Sequence, residues 1–553
     1  MTQTNETFPS FNLWTEAWIT LEGQDGALSQ HGIGETLLRA HEYVAIYDPS
    51  PLVMVGVHRL LTAILQDALN PQENADLEAL WERGRFPAEA IERFRAQYAN
   101  RFDLFSSDKP FYQSYDLPMV PQKKDRMDSV AKLFQDLPSG YFLTHYRHIT
   151  EDEHSFSFAT AAAGLVAIAP FASVGGAGNM PSINGVPPIY VLPAGKTLFE
   201  ALAASLITRQ TLVDSHPTRK GDLAWWKRPV PVIVETSKKP NPKKGIGIAE
   251  SKQLSEVGYL HGLTFPARKV RLHPKRVDTA CTRSGQPCEW GVASMAFQMG
   301  ESKLEDAPVW TDPFAAYKLP AAPKDTGKNK GMKPGKKTEA KKPLRPMRGR
   351  AAWREFSGLF LQGSTAEKQT QRPLFLDQLA KLQIGKRYEA YPFRCIALQT
   401  DGKMKFFEWA DFGFDVPPAL LNDPQGAYWT EQAMGFAEQC KKAITSVFSW
   451  EFGKVKKKGD EKHERFKRLK ARMEENYWAA LAGEFRQFVL KLGNRSAQPQ
   501  TLQSWLDTAK RIAQKTFDAA ADATGDDGSA LRDIVQGKAE CARRLNILRS
   551  KNR

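Results

Sequence analysis

Apolar residues recur at three- and four-residue steps through the last part of the chain. Trp429, Ala433, Phe436, Cys440, Ile444 and Val447 form one stripe, with Asp423–Pro424 as a start signal before it. Phe466, Leu469, Met473, Tyr477, Leu481, Phe485, Phe488 and Leu492 form a second. Leu502, Trp505, Ala509, Ile512 and Phe517 form a third, and after the breaker TGDDGS come Leu531, Ile534, Cys541, Leu545 and Leu548. Each stripe needs a partner surface. Four amphipathic helices with short connections predict a four-helix bundle over residues 416–553. Each fully buried Leu or Phe contributes roughly 1.5–3 kcal/mol, enough for the stripes to hold it together.

Residues 1–415 carry a different pattern. FNLWTEAWITLEGQDGALSQHGIGETL predicts short strands joined by an Asp25–Gly26 turn. DPSPLVMVGVHRLLTAILQDAL predicts a buried helix, with Ser50 at the N-cap and Pro51 in the first helical position. ATAAAGLVAIAPFA predicts a small-residue helix that packs closely, and VPPIYVLPAGKTLFEALAASLI a strand, a turn and a helix. Further strands are expected near 229–235, 258–272 and 392–409. Residues 101–195 are otherwise irregular, and no internal repeat is visible. The expected fold class is α+β: a large irregular mixed α/β N-terminal domain (1–415) followed by the bundle (416–553).

Within the first domain, residues 318–350 stand apart. Twelve Lys or Arg face two acids, Asp325 and Glu339, with proline and glycine throughout. This composition predicts a basic flexible insertion that is either a solvated linker or a tracker of phosphate. The whole chain of 553 residues has a net charge of +15, which favours a polyanionic partner, most often nucleic acid. The helical polar faces are basic too, at KVKKKGDEKHERFKRLKAR. Five cysteines, odd in number and mostly far apart, argue against a disulfide framework and for the reducing cytoplasm. No apolar run reads as a membrane span, and the start lacks the pattern of a secretory signal.

Motifs that would carry chemistry are mostly incomplete. AGKT at 194–197 lacks the leading glycine of a phosphate loop, because Tyr190 stands there. GIGE at 32–35 lacks the third glycine of a dinucleotide fingerprint. CTRSGQPC offers one cysteine pair, Cys281 and Cys288, a weak metal candidate, since structural zinc usually takes four ligands with tighter pairs. No HExxH spacing, nucleophile elbow, metal-carboxylate pair or helicase motif stands out. The residues predict a large, basic, nucleic-acid-binding protein, not an enzyme, with no cofactor.

Several stretches then point further. FNLWTEAWI at the start, RFDLFSSDKPFYQ at 101–113, VGGAGNMPSINGVPP at 174–188, LTFPARKVRL at 263–272, VWTDPFAAY at 309–317 and FFEW at 406–409 occur in a family order. In that order, spacing and total length the chain resembles the large subunit of type I-E CRISPR Cascade, the CasA family. The resemblance covers essentially the whole chain. It implies a subunit of an RNA-guided surveillance complex that recognises the protospacer-adjacent motif in duplex DNA through the minor groove. It also implies a part in starting strand separation and R-loop formation, and in recruiting the helicase-nuclease. The implied partners are double-stranded DNA, guide RNA, the backbone, small and guide-end-capping subunits, and the helicase-nuclease, with no membrane.

The resemblance also carries residues. Val174, Gly175, Gly176 and Ala177 match the glycine loop that enters the minor groove, a furrow about 6 Å wide where a bare backbone fits. Lys303 matches a minor-groove lysine, although Glu301 lies closer to the strict register. The wedge hairpin falls on ALQTDGKMKFFEW. There Asp401 and Gly402 replace the usual Asn-Gln, so Lys403, or Gln399 in a shifted register, is left to take the wedge role. THYRHITEDEH matches a loop that contacts the complex near the guide, with His145, Tyr146, Arg147 and His148 as contacts. Lys336, Lys337, Lys341 and Lys342 of the insertion, and Lys456, Lys457 and Lys458 between helices, are expected to meet DNA without sequence preference. Two alternatives remain: a stand-alone metal-dependent nucleic-acid enzyme, and a basic scaffold protein. Cleavage of DNA by the purified chain with magnesium or manganese would favour the first. Co-purification with guide RNA and small subunits would exclude the second.

Overall fold

The computed structural model describes residues 9–120, 127–135, 137, 154–172, 182–215, 222–228, 237–239, 248–250, 253–254, 257–303, 310–320, 341–347, 349–361, 370–382, 387–400, 406–453, 461–525 and 528–552. It mixes helix and sheet. Pro51–Leu69 forms a central helix whose faces are nearly all buried, as its continuous apolar run requires. It is the one described helix long and apolar enough to cross a membrane, yet it lies inside the protein and carries a charged Arg59 at mid-length. Ser50 sits at the N-cap, but its hydroxyl makes no cap bond; the backbone N–H of Ser50 donates to Asp48 instead. The small-residue helix Phe158–Phe171 packs across the central helix. Gly56 permits this close crossing, since a Cβ there would sit 2.5 Å from the Val166 carbonyl oxygen.

The sheets are small. Ile19–Gly23 and Leu28–His31 pair antiparallel around the expected Asp25–Gly26 turn, with Gly26 at φ 79°. A long hairpin, Arg268–Ala280 with Pro287–Met299, carries Asp128–Ser129 and Phe156–Ser157 on its return strand. A second hairpin, Tyr391–Thr400 with Phe406–Val416, takes Tyr190–Pro193 as its third strand. Of the strands expected near 229–235, 258–272 and 392–409, the first lies outside the described residues, the last is the two strands of this hairpin, and the middle one fails. Residues 258–272 do not form one strand: Tyr259–Leu263 is a short helix and the strand begins at Arg268. The carboxylate of Asp222 accepts the backbone N–H groups at the start of that helix, a cap supplied from a distant segment.

Four long helices end the chain: Pro424–Phe452, Glu461–Leu492, Gln498–Asp522 and Gly528–Lys551. Pro424–Phe452 and Gln498–Asp522 each pack against the other three. The predicted stripes are their inner faces, from Phe436 and Cys440 to Phe485, Trp505, Phe517 and Leu545. Leu531 is the exception, half exposed near the start of the last helix. An aromatic seam joins these helices to the rest: Trp353 packs on Trp478 and Phe485, and Phe356 bridges Phe485 and Phe414. Arg354 lies 3.8 Å above the Trp478 ring and pairs with Glu438.

Candidate nucleic-acid interface

A buried charge organises the centre. Arg59 is 3% exposed, and its Nη1 donates to both carboxylate oxygens of Asp312, each at 2.8 Å. Burial alone would lower the Arg59 pKa, but the Asp312 carboxylate outweighs it and keeps the guanidinium charged. Asp312 also accepts from the Phe314 N–H at 3.0 Å and from Asn184 Nδ2 at 2.7 Å. The rings of Tyr190, Trp310 and Phe314 surround the guanidinium at 5.3 to 5.9 Å. The Tyr190 hydroxyl donates to the Pro170 carbonyl at 3.0 Å. Sequence reading missed this cluster. Its one local signal was a lone arginine inside an apolar helix.

The cluster sits at the neck of the glycine-rich stretch. The Ser182 N–H donates to the Ala172 carbonyl at 2.7 Å, so the two described residues that border the stretch 173–181 are held together. Val174, Gly175, Gly176 and Ala177 lie between, outside the described residues. Tyr190–Pro193 then enters the second hairpin's sheet, with Tyr190 opposite Ile396 and Pro193 opposite Phe393. Strand Tyr391–Thr400 therefore runs toward its turn at the end where Tyr190 begins. Four residues from Ile396 to Thr400 carry it about 13 Å further. The tip with Asp401, Gly402 and Lys403 is also outside the described residues, but both of its strands end on that side. Gln399 lies opposite Glu408 and is buried. The described chain resumes at Ser182, eight residues before Tyr190, which starts the strand paired with this hairpin.

The other expected contacts are placed as follows. The backbone of Lys303 pairs in parallel with Leu254. Glu301, its rival in register, is buried against Arg228 and His261, with His261 Nε2 at 2.9 Å. The helix Tyr259–Leu263 links this pair to the central cluster, because Trp310 Nε1 donates to the Gly258 carbonyl. The indole also lies against Gly262, where a Cβ would come within 2.0 Å of it. The basic insertion is closed at its base by Tyr317–Lys318 pairing with Lys342–Pro343. Lys342 is exposed there. Lys341 differs from expectation: it turns inward, bonded to Thr311 and Gln371 and 5.0 Å from the Tyr317 ring. Burial lowers its pKa. Lys336, Lys337, Lys456, Lys457 and Lys458 lie outside the described residues.

The stretch expected to contact the guide, with His145, Tyr146, Arg147 and His148, is likewise outside them. Its two described flanks, Asp128–Ser129 and Phe156–Ser157, lie on one strand of the long hairpin, opposite Met295–Ser294 and Val292–Gly291. Cys281 and Cys288 sit near the far end of that hairpin. The Cys288 thiol faces the Thr279 carbonyl, and Cys281 is buried beside Thr160 Oγ1 at 3.4 Å. Burial pushes the Cys281 thiol up, but hydrogen bonds from Ser284, Thr160 and nearby backbone more than offset it and bring it to about 7. Among the described residues no group of three or more His, Cys, Asp or Glu is arranged to hold a metal ion.

Two buried histidines flank these clusters and set an acid limit. His58 bonds Ser205 Oγ at 2.8 Å beside Arg59, and His261 bonds Glu301. Burial, with Arg59 in one case and Arg228 in the other, pushes each down to about 3. The native state therefore holds both rings neutral, while the unfolded chain takes up protons below its ordinary value of about 6.5. Stability is full above that value and falls as pH drops toward 3. Chemical denaturation at pH 6.5 and pH 5 should differ by on the order of 1.5 kcal/mol per histidine. His58→Gln should remove part of that difference. A pH-independent midpoint over this window would contradict the assignment.

The fold and this site together define a class: a basic, mixed helix-and-sheet protein built around a buried ion pair. Similarity to known proteins gives it a family. The profile described as CRISPR-associated protein Cse1 matches residues 12–516. CRISPR-associated protein CasA/Cse1 of Thermus thermophilus is 27% identical, over 97% of this chain and 98% of its own length. The crystal structure of Cse1 from Acidimicrobium ferrooxidans superposes with a TM-score of 0.73 at 21% identity, covering 99% of both chains. A chain of a CRISPR RNA-guided surveillance complex superposes at 0.67 and 16% identity, covering 97% of this chain and 100% of its own. The chain belongs to the Cse1 (CasA) family, the large subunit of type I-E CRISPR surveillance complexes.

Proposed function

We propose that this subunit checks the protospacer-adjacent motif of duplex DNA in the minor groove, helps to open the duplex beside it, and recruits the helicase-nuclease. It does so without catalysis of its own, in the cytoplasm, bound to guide RNA and the other Cascade subunits. The observation that carries the reading is that the strand paired with the hairpin, Tyr190–Pro193, begins eight residues after the bond between Ser182 and Ala172 that borders the glycine-rich stretch. A bare backbone suits a groove about 6 Å wide, and a neighbouring hairpin suits the base step beside it. Burial of Gln399 leaves the turn 401–405, with Lys403, as the part of the hairpin that reaches DNA. We read residues 416–553 as a separate four-helix bundle domain whose basic faces flank the displaced strand.

The test is the affinity of the assembled complex for targets with randomised flanking bases, measured with and without this subunit. Loss of motif preference when the subunit is omitted supports the reading; an unchanged preference removes it. The basic insertion has its own test. Deleting residues 321–340 keeps the base pairing of Tyr317–Lys318 with Lys342–Pro343 and removes six lysines and two acids. Target affinity should then fall less steeply with salt, by roughly 0.9 in log–log slope for each phosphate no longer neutralised. An identical slope would assign the insertion no part in DNA binding.

A further inference from the structure

The ion pair between Arg59 and Asp312 demands a reason. Apolar side chains of similar volume in place of a buried ion pair are often neutral or stabilising. Stability alone therefore does not account for a charge amid Val57, Leu60, Leu61 and Ala63, all buried. What a carboxylate has and packing lacks is direction. Asp312 receives the guanidinium from the central helix, an N–H from its own segment, and the Asn184 amide from the return leg of the glycine-rich stretch. Tyr190, whose ring lies 5.3 Å from the same guanidinium, bonds Pro170 on the outgoing leg. Both legs are thus referenced to one buried charge. Tyr190 also starts the strand that pairs with the second hairpin.

We propose that Arg59, Asp312 and Asn184 are positioning residues that fix the two flanks of the stretch 173–181, at Ala172 and Ser182, and so sharpen discrimination of the DNA motif. The inference rests on the reading of that stretch as a minor-groove probe. Donors that read base edges need placement to about 0.5 Å; the Ser182 N–H on Ala172 and the Ser182 hydroxyl on Ala169 tie the two flanks together, and Asn184 adds a tie to the buried charge. Asn184 is the informative member, since its loss leaves the ion pair intact and frees only the return leg.

The experiment compares complexes carrying wild-type subunit, Asn184→Ala, Tyr190→Phe and Gly176→Asp. Affinity is measured for targets with the preferred flanking motif and for a set with non-preferred ones, alongside the thermal midpoint of each subunit. Asn184→Ala should weaken preferred targets about tenfold, the loss of one hydrogen bond to a charged group. Non-preferred targets, held mainly by phosphate contacts, should stay within about twofold. Tyr190→Phe deletes only a hydroxyl and serves if Asn184→Ala does not fold. An equal loss on both target sets would mark a purely structural role and overturn the inference. Discrimination lost in Gly176→Asp but intact in both neck variants overturns it alone. Discrimination intact in Gly176→Asp overturns the reading beneath it, and this inference too.

Discussion

Gly176→Asp is expected to lower the affinity of the assembled complex for motif-bearing targets by about 100-fold or more. The physical case has two parts. A carboxylate carried into the minor groove would sit between two phosphate rows; one like-charge approach at about 6 Å costs about 3 kcal/mol at an effective dielectric of 20. The added side chain also holds the backbone away from base edges that peptide N–H groups would meet. Gly176→Ala, which adds bulk without charge, should cost less, separating the two parts. The thermal midpoint of the isolated subunit should stay near wild type. A variant that folds and still chooses the same flanking bases would sink the minor-groove reading.

Asp312→Ala is expected to destabilise the subunit by about 3–5 kcal/mol, the effect of leaving one member of a buried pair uncompensated. Arg59 would keep its charge among three aromatic rings with no carboxylate to meet it. Asn184 and the Phe314 N–H would lose their acceptor at the same time. A denaturant titration reads the loss as an earlier midpoint at similar slope. The double change Arg59→Met with Asp312→Leu should recover most of it, because it removes the charge as well as its partner. It should not recover motif discrimination, since the Asn184 amide would still have no carboxylate to face. If Asp312→Ala unfolds no earlier than wild type, the central ion pair is not what the distances make it.

Much of the architecture was legible as pattern. The central helix follows from Ser50, Pro51 and the apolar run behind them, and the first hairpin from Asp25–Gly26. The four terminal helices follow from 3.6-residue spacing and from breakers between the stripes. The misses share a cause. The helix Tyr259–Leu263 starts on an Asp222 carboxylate lying 37 residues upstream of Tyr259, and no local spacing records that. Lys341 reads as one more cation in a basic run, but its place just before the strand Lys342–Pro343 sets it against Tyr317 and Gln371. Glu301 competed with Lys303 for one role until its contacts with Arg228 and His261 gave it another.

Periodicity, capping residues and turn chemistry act over a few residues, so the sequence by itself determined the central and the four terminal helices, the Asp25–Gly26 turn, the basic character and the family. Arg59 and Asp312 stand 253 positions apart, and Asn184 another 128 from Asp312. Their meeting depends on how the central helix, the glycine-rich neck and the 310–317 segment pack together. Only the tertiary structure decided that, because a buried charge finds its partner through space and leaves no trace in the spacing of the chain.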